Sequence, residues 1–182
     1  MLPRMDSTTQ VCRLPRFTIC GLDEVRTRSR QEAYTHVVSI WDTATRGDGP
    51  DRIKLFFPAA RIHSARFDDV EVESAGAATG ETVRAVLNFG SDLSAADKVL
   101  VHCLAGLSRS PGVAFALACQ FAGPGNEAAV LRCLVERAPW IKPNRLVVRL
   151  ADDLLQRDGR MIAAAGLIRD RLMRRRADLH SA

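Results

Sequence analysis

Cys103 and Arg109 are the residues of this 182-residue chain whose types and spacing speak most directly of chemistry. They bound the segment His102-Cys103-Leu104-Ala105-Gly106-Leu107-Ser108-Arg109-Ser110-Pro111. A cysteine thiolate is a strong nucleophile, and its charge is favoured near cationic groups and helix N-termini. An arginine beyond five intervening residues offers a planar fork that matches two oxygens of a tetrahedral oxyanion. Together they predict a thiolate aimed at the phosphorus of a bound phosphate monoester. Ser110 is placed to hydrogen-bond the sulfur and help it leave a phospho-cysteine intermediate. His102 is placed to orient the cysteine backbone or tune the thiolate.

Such a pair works only if the chain around it holds the anion. The run Val99-Leu100-Val101 reads as a buried strand. Gly112 to Ala122 reads as a buried helix, and Pro111 is tolerated in its first turn. The order is therefore strand, tight loop, helix N-terminus. A loop that feeds a helix N-terminus turns backbone N–H groups toward one point, and the helix dipole adds positive potential. Leu104, Ala105, Gly106, Leu107 and Ser108 are the expected phosphate cradle, closed by Arg109.

The pattern His102-Cys103-x5-Arg109-Ser110 resembles the signature of the cysteine-dependent protein tyrosine phosphatases. In the form His-Cys-Leu-Ala-Gly-Leu-Ser-Arg-Ser it is most similar to the dual-specificity branch and its small bacterial relatives. Pro143-Asn144 followed by an apolar helix adds to the resemblance, which extends over roughly Phe17 to Leu155. It implies a phosphatase that hydrolyses phosphate monoesters, most of all protein phosphotyrosine, with phosphoserine and phosphothreonine as further candidates. It also implies a general acid some thirty residues upstream of the cysteine, on a loop after a strand, where Asp68 and Asp69 stand. The leaving oxygen needs a proton. The family pattern favours Asp69, and because neighbouring side chains of an extended chain point to opposite faces, only one of the two faces the pocket. Asp68 is the alternative. Phosphoinositide-directed members of the superfamily carry lysines in the loop; Leu104 to Ser108 includes none, which favours a monophosphate. Two other classes compete: a catalytically weak phosphate-binding module, and a rhodanese-like sulfurtransferase, for which neither a general acid nor a serine after the arginine is required.

Along the rest of the chain, Phe17 to Cys20, His36 to Trp41, Arg52 to Phe57 and Ile62 to Phe67 read as strands. Leu22 to Ala33, Gly80 to Ser91, a segment capped by Asn126, Arg145 to Gln156 capped by Asn144, and Arg160 to Ala177 read as helices, the last ending in Arg174-Arg175-Arg176. Asp42 to Asp51 and Ala138 to Asn144 read as loops. The expected fold is a single α/β domain with a central, mostly parallel sheet of about four to five strands and helices on both faces. Residues 1–15 are expected to be a flexible leader, 16–158 the phosphatase domain, and 159–182 a basic C-terminal helix.

Composition narrows the remaining options. At 47% hydrophobic the chain is globular. No apolar run approaches the ~20 residues of a membrane span. The first residues lack the apolar core of a secretory signal. The five cysteines, Cys12, Cys20, Cys103, Cys119 and Cys133, are scattered, with neither a disulfide framework nor a zinc pattern. A cytoplasmic location suits them. The formal net charge of +5 attracts phosphorylated substrates. Aromatics are only 5%, and the aromatic-plus-basic pattern of a nucleic-acid surface is missing. The expected partner is a phosphorylated protein or small phosphomonoester, with no nucleic acid and no membrane. Neither metal nor other cofactor is expected, since thiolate, arginine and backbone amides supply all the roles. His36, His63, Trp41 and Trp140 read as structural.

Overall fold

The computed structural model describes residues 14–47 and 49–167. Four of the segments read as strands in the sequence form strands: β1 (Arg16–Cys20), β2 (His36–Trp41), β3 (Arg61–Arg66) and β4 (Lys98–His102). They make one sheet in the order β1-β4-β2-β3, parallel at every pairing. Every residue of β2 is buried, and so are Val99 to His102 of β4. A parallel sheet covered on both faces demands such uninterrupted runs.

The helices are α1 (Val25–Gln31), α2 (Gly49–Phe56), α3 (Gly80–Phe89), α4 (Arg109–Ala122), α5 (Glu127–Arg137) and α6 (Arg145–Leu154). One sheet face carries the larger core, built with α3, α4, α5 and α6. Phe67, Val101, Phe115, Leu117, Leu131 and Leu146 lie within it. The other face carries a smaller core, where Val25 of α1 and Ile53 of α2 meet Val37, Trp41, Phe57 and Leu100. Helix α4 lies under the sheet with all of Arg109 to Cys119 buried, which accounts for its apolar and small side chains. Thr79 starts α3 by accepting a hydrogen bond from the Thr82 N–H at 3.1 Å.

Arg52 to Phe57, expected as a strand, belongs instead to helix α2 and the residue after it. Ile53 and Phe57, four apart, are buried, while Leu55 points to solvent. That is a helical stripe, and the short alternation at its start imitates a strand. Gly49-Pro50-Asp51, read as loop punctuation, is equally a helix start. The sheet thus has four strands, at the low end of the expected range. Asn126 precedes α5 without capping it through its side chain; its amide donates instead to the Ala122 carbonyl at 2.8 Å.

Beyond α6, residues 160–167 are helical. The buried Asp152 carboxylate accepts from the Gly159 and Met161 N–H groups at 2.7 and 2.8 Å, and Met161 enters the larger core. Most of the leader and the Arg174–Arg176 run lie outside the described residues. Among the described residues, no helix is long and apolar enough to cross a membrane, and no group of three or more His, Cys, Asp or Glu side chains is arranged to hold a metal ion.

Candidate active site

Strand β4 ends at His102, residues 103–108 form a loop, and α4 begins at Arg109. What shapes this loop is the direction of its carbonyls. The Leu104 carbonyl accepts from the Leu22 N–H at 3.0 Å, the Leu107 carbonyl from Lys142 N–H at 2.8 Å, and the Ser108 carbonyl from Asn144 N–H at 3.0 Å. All three acceptors are thus turned outward, toward the β1–α1 turn and the 138–144 loop. Across a planar trans peptide the following N–H points the opposite way. The amides of Ala105, Ser108 and Arg109 therefore face the concave side, at the N-terminus of α4. That is an anion-binding arrangement.

Gly106 permits the curvature. Its φ is +71°, and a Cβ there would fall 2.6 Å from the carbonyl carbon of Cys20 and 2.6 Å from the amide nitrogen of Gly21. The end of β1 is thus the floor on which the loop rests, and only glycine fits against it. Cys103 is 1% exposed. Its Sγ accepts from the Gly106 N–H at 3.2 Å and lies 3.2 Å from the Ser110 Oγ.

Arg109, 2% exposed, is held from two sides. Its Nη1 donates to Asp42 Oδ1 at 2.8 Å and to the Phe67 carbonyl at 2.9 Å. Its Nε is buried with no hydrogen-bond acceptor among the described residues; the nearest carboxylate oxygen, Asp69 Oδ2, is 3.9 Å away. A buried guanidinium donor without an acceptor is costly, and it is the kind of group a phosphate oxygen satisfies.

The two aspartates after β3 diverge as alternation requires. Asp69 turns to the loop, where its Oδ1 accepts from Ser108 Oγ at 2.6 Å and from Asn144 Nδ2 at 3.0 Å. Asp68 turns the other way, onto the Thr43 N–H and hydroxyl at 2.8 Å each. Those two donors hold the Asp68 carboxyl below the usual carboxylate range. Gly76 keeps the space beside it: a Cβ there would come 2.3 Å from Asp68 Oδ2.

Asn144 ties these parts together. Fully buried, it caps α6 by accepting from the Val147 N–H at 3.1 Å. Its Nδ2 also donates to the Val70 carbonyl at 3.1 Å. Cradle, Asp69 loop and α6 thus meet at one side chain. His102 is buried behind the cysteine, its Nε2 2.8 Å from Ser39 Oγ and its ring edge-on to Trp41 at 5.7 Å. Burial pushes its pKa down to about 4, so it is neutral at physiological pH. Burial pushes the Cys20 thiol up to about 12 and raises that of Cys119 as well, which suits their place in the cores. His36 and His63 stand away from this site, each packed on Phe89 with ring centroids 5.5 and 5.4 Å away.

The structure thus brings together His102, Cys103, the 104–108 loop, Arg109, Ser110, Asp69 and Asn144, and turns Asp68 away. Sequence reasoning missed Asp42, which anchors the arginine. A signal was available: Asp42 is the first residue past the carboxyl end of a parallel strand, where ligands bind in such sheets.

No protein-family model matches the chain, and no curated protein matches it in sequence. Solved structures do match in three dimensions. Human DUSP28 superposes with a TM-score of 0.59 at 14% identity, covering 79% of this chain and 94% of its own. The PTP-2 phosphatase of Cydia pomonella gives 0.57 at 20% identity, covering 76% and 84%. The Yvh1 phosphatase domain from Chaetomium thermophilum gives 0.54 at 18% identity, covering 81% and 98%. Over most of its length, the chain has the fold of the dual-specificity and tyrosine phosphatases.

Proposed function

We propose that the protein is a cysteine phosphatase that hydrolyses phosphate monoesters, above all protein phosphotyrosine, through a phospho-cysteine intermediate. The observation that carries the reading is the convergence on one point of the Cys103 sulfur, inward-facing amides, and an anchored arginine whose Nε lacks an acceptor. The phosphoryl oxygens rest on the amides and on Arg109. Cys103 attacks phosphorus as the thiolate; the S–P bond forms and the bond to the leaving oxygen breaks. Asp69 gives that oxygen its proton. A water then attacks the phospho-cysteine, Asp69 takes the water's proton, and Ser110 donates a hydrogen bond to the departing sulfur. Asp68 is poorly suited to donate, because its two Thr43 donors favour the ionised form.

The loop carries no lysine or second arginine before Arg109, and Leu104 and Leu107 are exposed. Apolar side chains on the cradle suit an aromatic ester such as phosphotyrosine, and one arginine suits one phosphate. A reducing cytoplasm keeps the Cys103 thiol available. The test is leaving-group dependence. Asp69→Asn should slow a phosphotyrosine peptide at least tenfold more than an activated aryl phosphate, which departs without a proton. Asp68→Asn should leave that ratio unchanged. A change of the ratio in Asp68→Asn alone would assign the acid to Asp68; a constant ratio in both would remove the acid from this loop.

A further inference from the structure

Strand β1 is an edge strand, hydrogen-bonded on one side only, to β4. The Arg16 N–H donates to the Asp97 carbonyl at 2.9 Å, so Arg16 faces inward. Strand alternation then turns the N–H and C=O groups of Phe17 and Ile19 outward. No hydrogen-bond partner among the described residues meets these four backbone groups. They do not face open solvent on a flat surface. They open into a trough of about 530 Å³ bounded by Arg28 of α1 on one side and by Arg137 and Trp140 on the other. That volume falls in the range of about 300–1,000 Å³ typical of ligand sites.

The charged residues that line the trough are all arginines, two of them already paired with carboxylates. Arg16 and Lys98 share the Glu32 carboxylate, each at 2.9 Å. Arg28 pairs with Glu24 at 2.9 Å. Arg137 has no carboxylate partner among the described residues. Trp140, half exposed, presents an apolar face beside it. Unpaired strand edges recruit extended chains through main-chain hydrogen bonds, with side-chain pockets setting the choice.

We propose that this trough binds an extended acidic peptide segment, which adds a fifth strand to the sheet along β1. Main-chain bonds form to Phe17 and Ile19. Acidic side chains meet Arg16, Arg28 and Arg137, and an apolar side chain packs on Trp140. The site stands apart from the Cys103 loop and does not depend on the phosphatase reading, since the ligand needs no phosphate.

The test uses the full chain and the acetylated hexapeptide Glu-Glu-Glu-Val-Glu-Glu, which carries glutamate on both faces of an extended chain and one valine, followed by tryptophan fluorescence and by amide hydrogen exchange. Binding should slow exchange at Phe17 and Ile19 at least tenfold. Affinity should weaken about fivefold in Arg137→Glu, and similarly when glutamine replaces glutamate in the peptide. Alternate N-methylation of the peptide backbone should abolish binding. Hydrolysis of p-nitrophenyl phosphate should be unchanged in Arg137→Glu, which shows that the variant is folded. Absence of binding, binding without protection of the Phe17 and Ile19 amides, or binding indifferent to N-methylation would each overturn the proposal. So would capture of phosphatidylglycerol vesicles through Arg137 with no peptide binding, which would assign the trough to a lipid surface instead.

Discussion

Replacing Asn144 tests both directions of its hydrogen bonding, the cap of α6 and the hold on Asp69. The side chain is fully buried and makes hydrogen bonds in two directions. As acceptor it caps α6 at Val147; as donor it reaches Asp69 and the Val70 carbonyl. Loss of a helix cap costs about 1 kcal/mol. Leaving a buried acceptor without its donor costs roughly 1–3 kcal/mol. Asn144→Ala should therefore lower unfolding free energy by about 2–4 kcal/mol, read as a lower urea midpoint with an unchanged slope. Asn144→Asp keeps an acceptor for the Val147 N–H and adds negative charge at a helix N-terminus, where it is favoured. It removes both donors, however, and sets a second carboxylate against Asp69. The aspartate variant keeps the cap but leaves the Asp69 and Val70 acceptors without their donor and buries a second carboxylate, so it should also lose at least about 1–3 kcal/mol of stability. On a phosphotyrosine peptide it should lose tenfold or more in kcat/KM. If the alanine variant is as stable as wild type, the bonding described at this residue is wrong. If the aspartate variant keeps full activity, Asn144 does not position Asp69.

Two further outcomes follow from the arginine anchor and the buried histidine. Asp42→Ala removes one of the two acceptors of the Arg109 Nη1; a charge-assisted bond of this kind is worth about 1.5–3 kcal/mol, so kcat/KM for p-nitrophenyl phosphate should fall roughly tenfold, with kcat reduced as well as KM raised, and an effect on stability alone would show that the anchor has no bearing on catalysis. His102 has a pKa lowered by burial from 6.5 to about 4, so the unfolded chain takes up its proton first. Its contribution is fully present above pH 6.5 and is lost as the pH falls toward 4. At about 1.4 kcal/mol per pH unit this is worth about 3 kcal/mol at the limit. Urea unfolding between pH 4 and 6.5 should show a shallower pH dependence in His102→Gln than in wild type; identical slopes would mean that the imidazole is not held neutral.

The strand–loop–helix around Cys103 was legible because its cues are local. An apolar run, a glycine in a tight loop and a proline in the first turn of a helix each act within a few residues. The same holds for β1 and β2, whose apolar runs are continuous or nearly so; β3, with only Ile62 and Ala65 apolar, has no such run. Arg52 to Phe57 misled because Ile53, Lys54 and Leu55 alternate over a span too short to separate the two periods. Only the pairing of Ile53 with Phe57 against the sheet decides for helix. Asp69 and Asp68 could be told apart by alternation, yet what each carboxylate touches is a matter of tertiary placement. Thr43 lies 25 positions from Asp68, and Asn144 lies 75 positions from Asp69. Asp42 is 67 positions from Arg109. No window of sequence holds such a pair, so these pairings could not be read along the chain as the loop could, although the place of Asp42 just past a strand end marked it as a candidate.

The central claim is a covalent bond between Cys103 and phosphorus, and it can be observed directly. Wild-type protein mixed with p-nitrophenyl phosphate and quenched in acid within one turnover should carry a single added phosphoryl group on the Cys103 peptide by mass spectrometry. A burst of p-nitrophenolate equal to the enzyme concentration should accompany it. Cys103→Ser should show neither and should turn over at least a thousandfold more slowly. Hydrolysis at the wild-type rate with no phosphoryl group on Cys103, or a serine variant that keeps a tenth of the activity, would contradict the account.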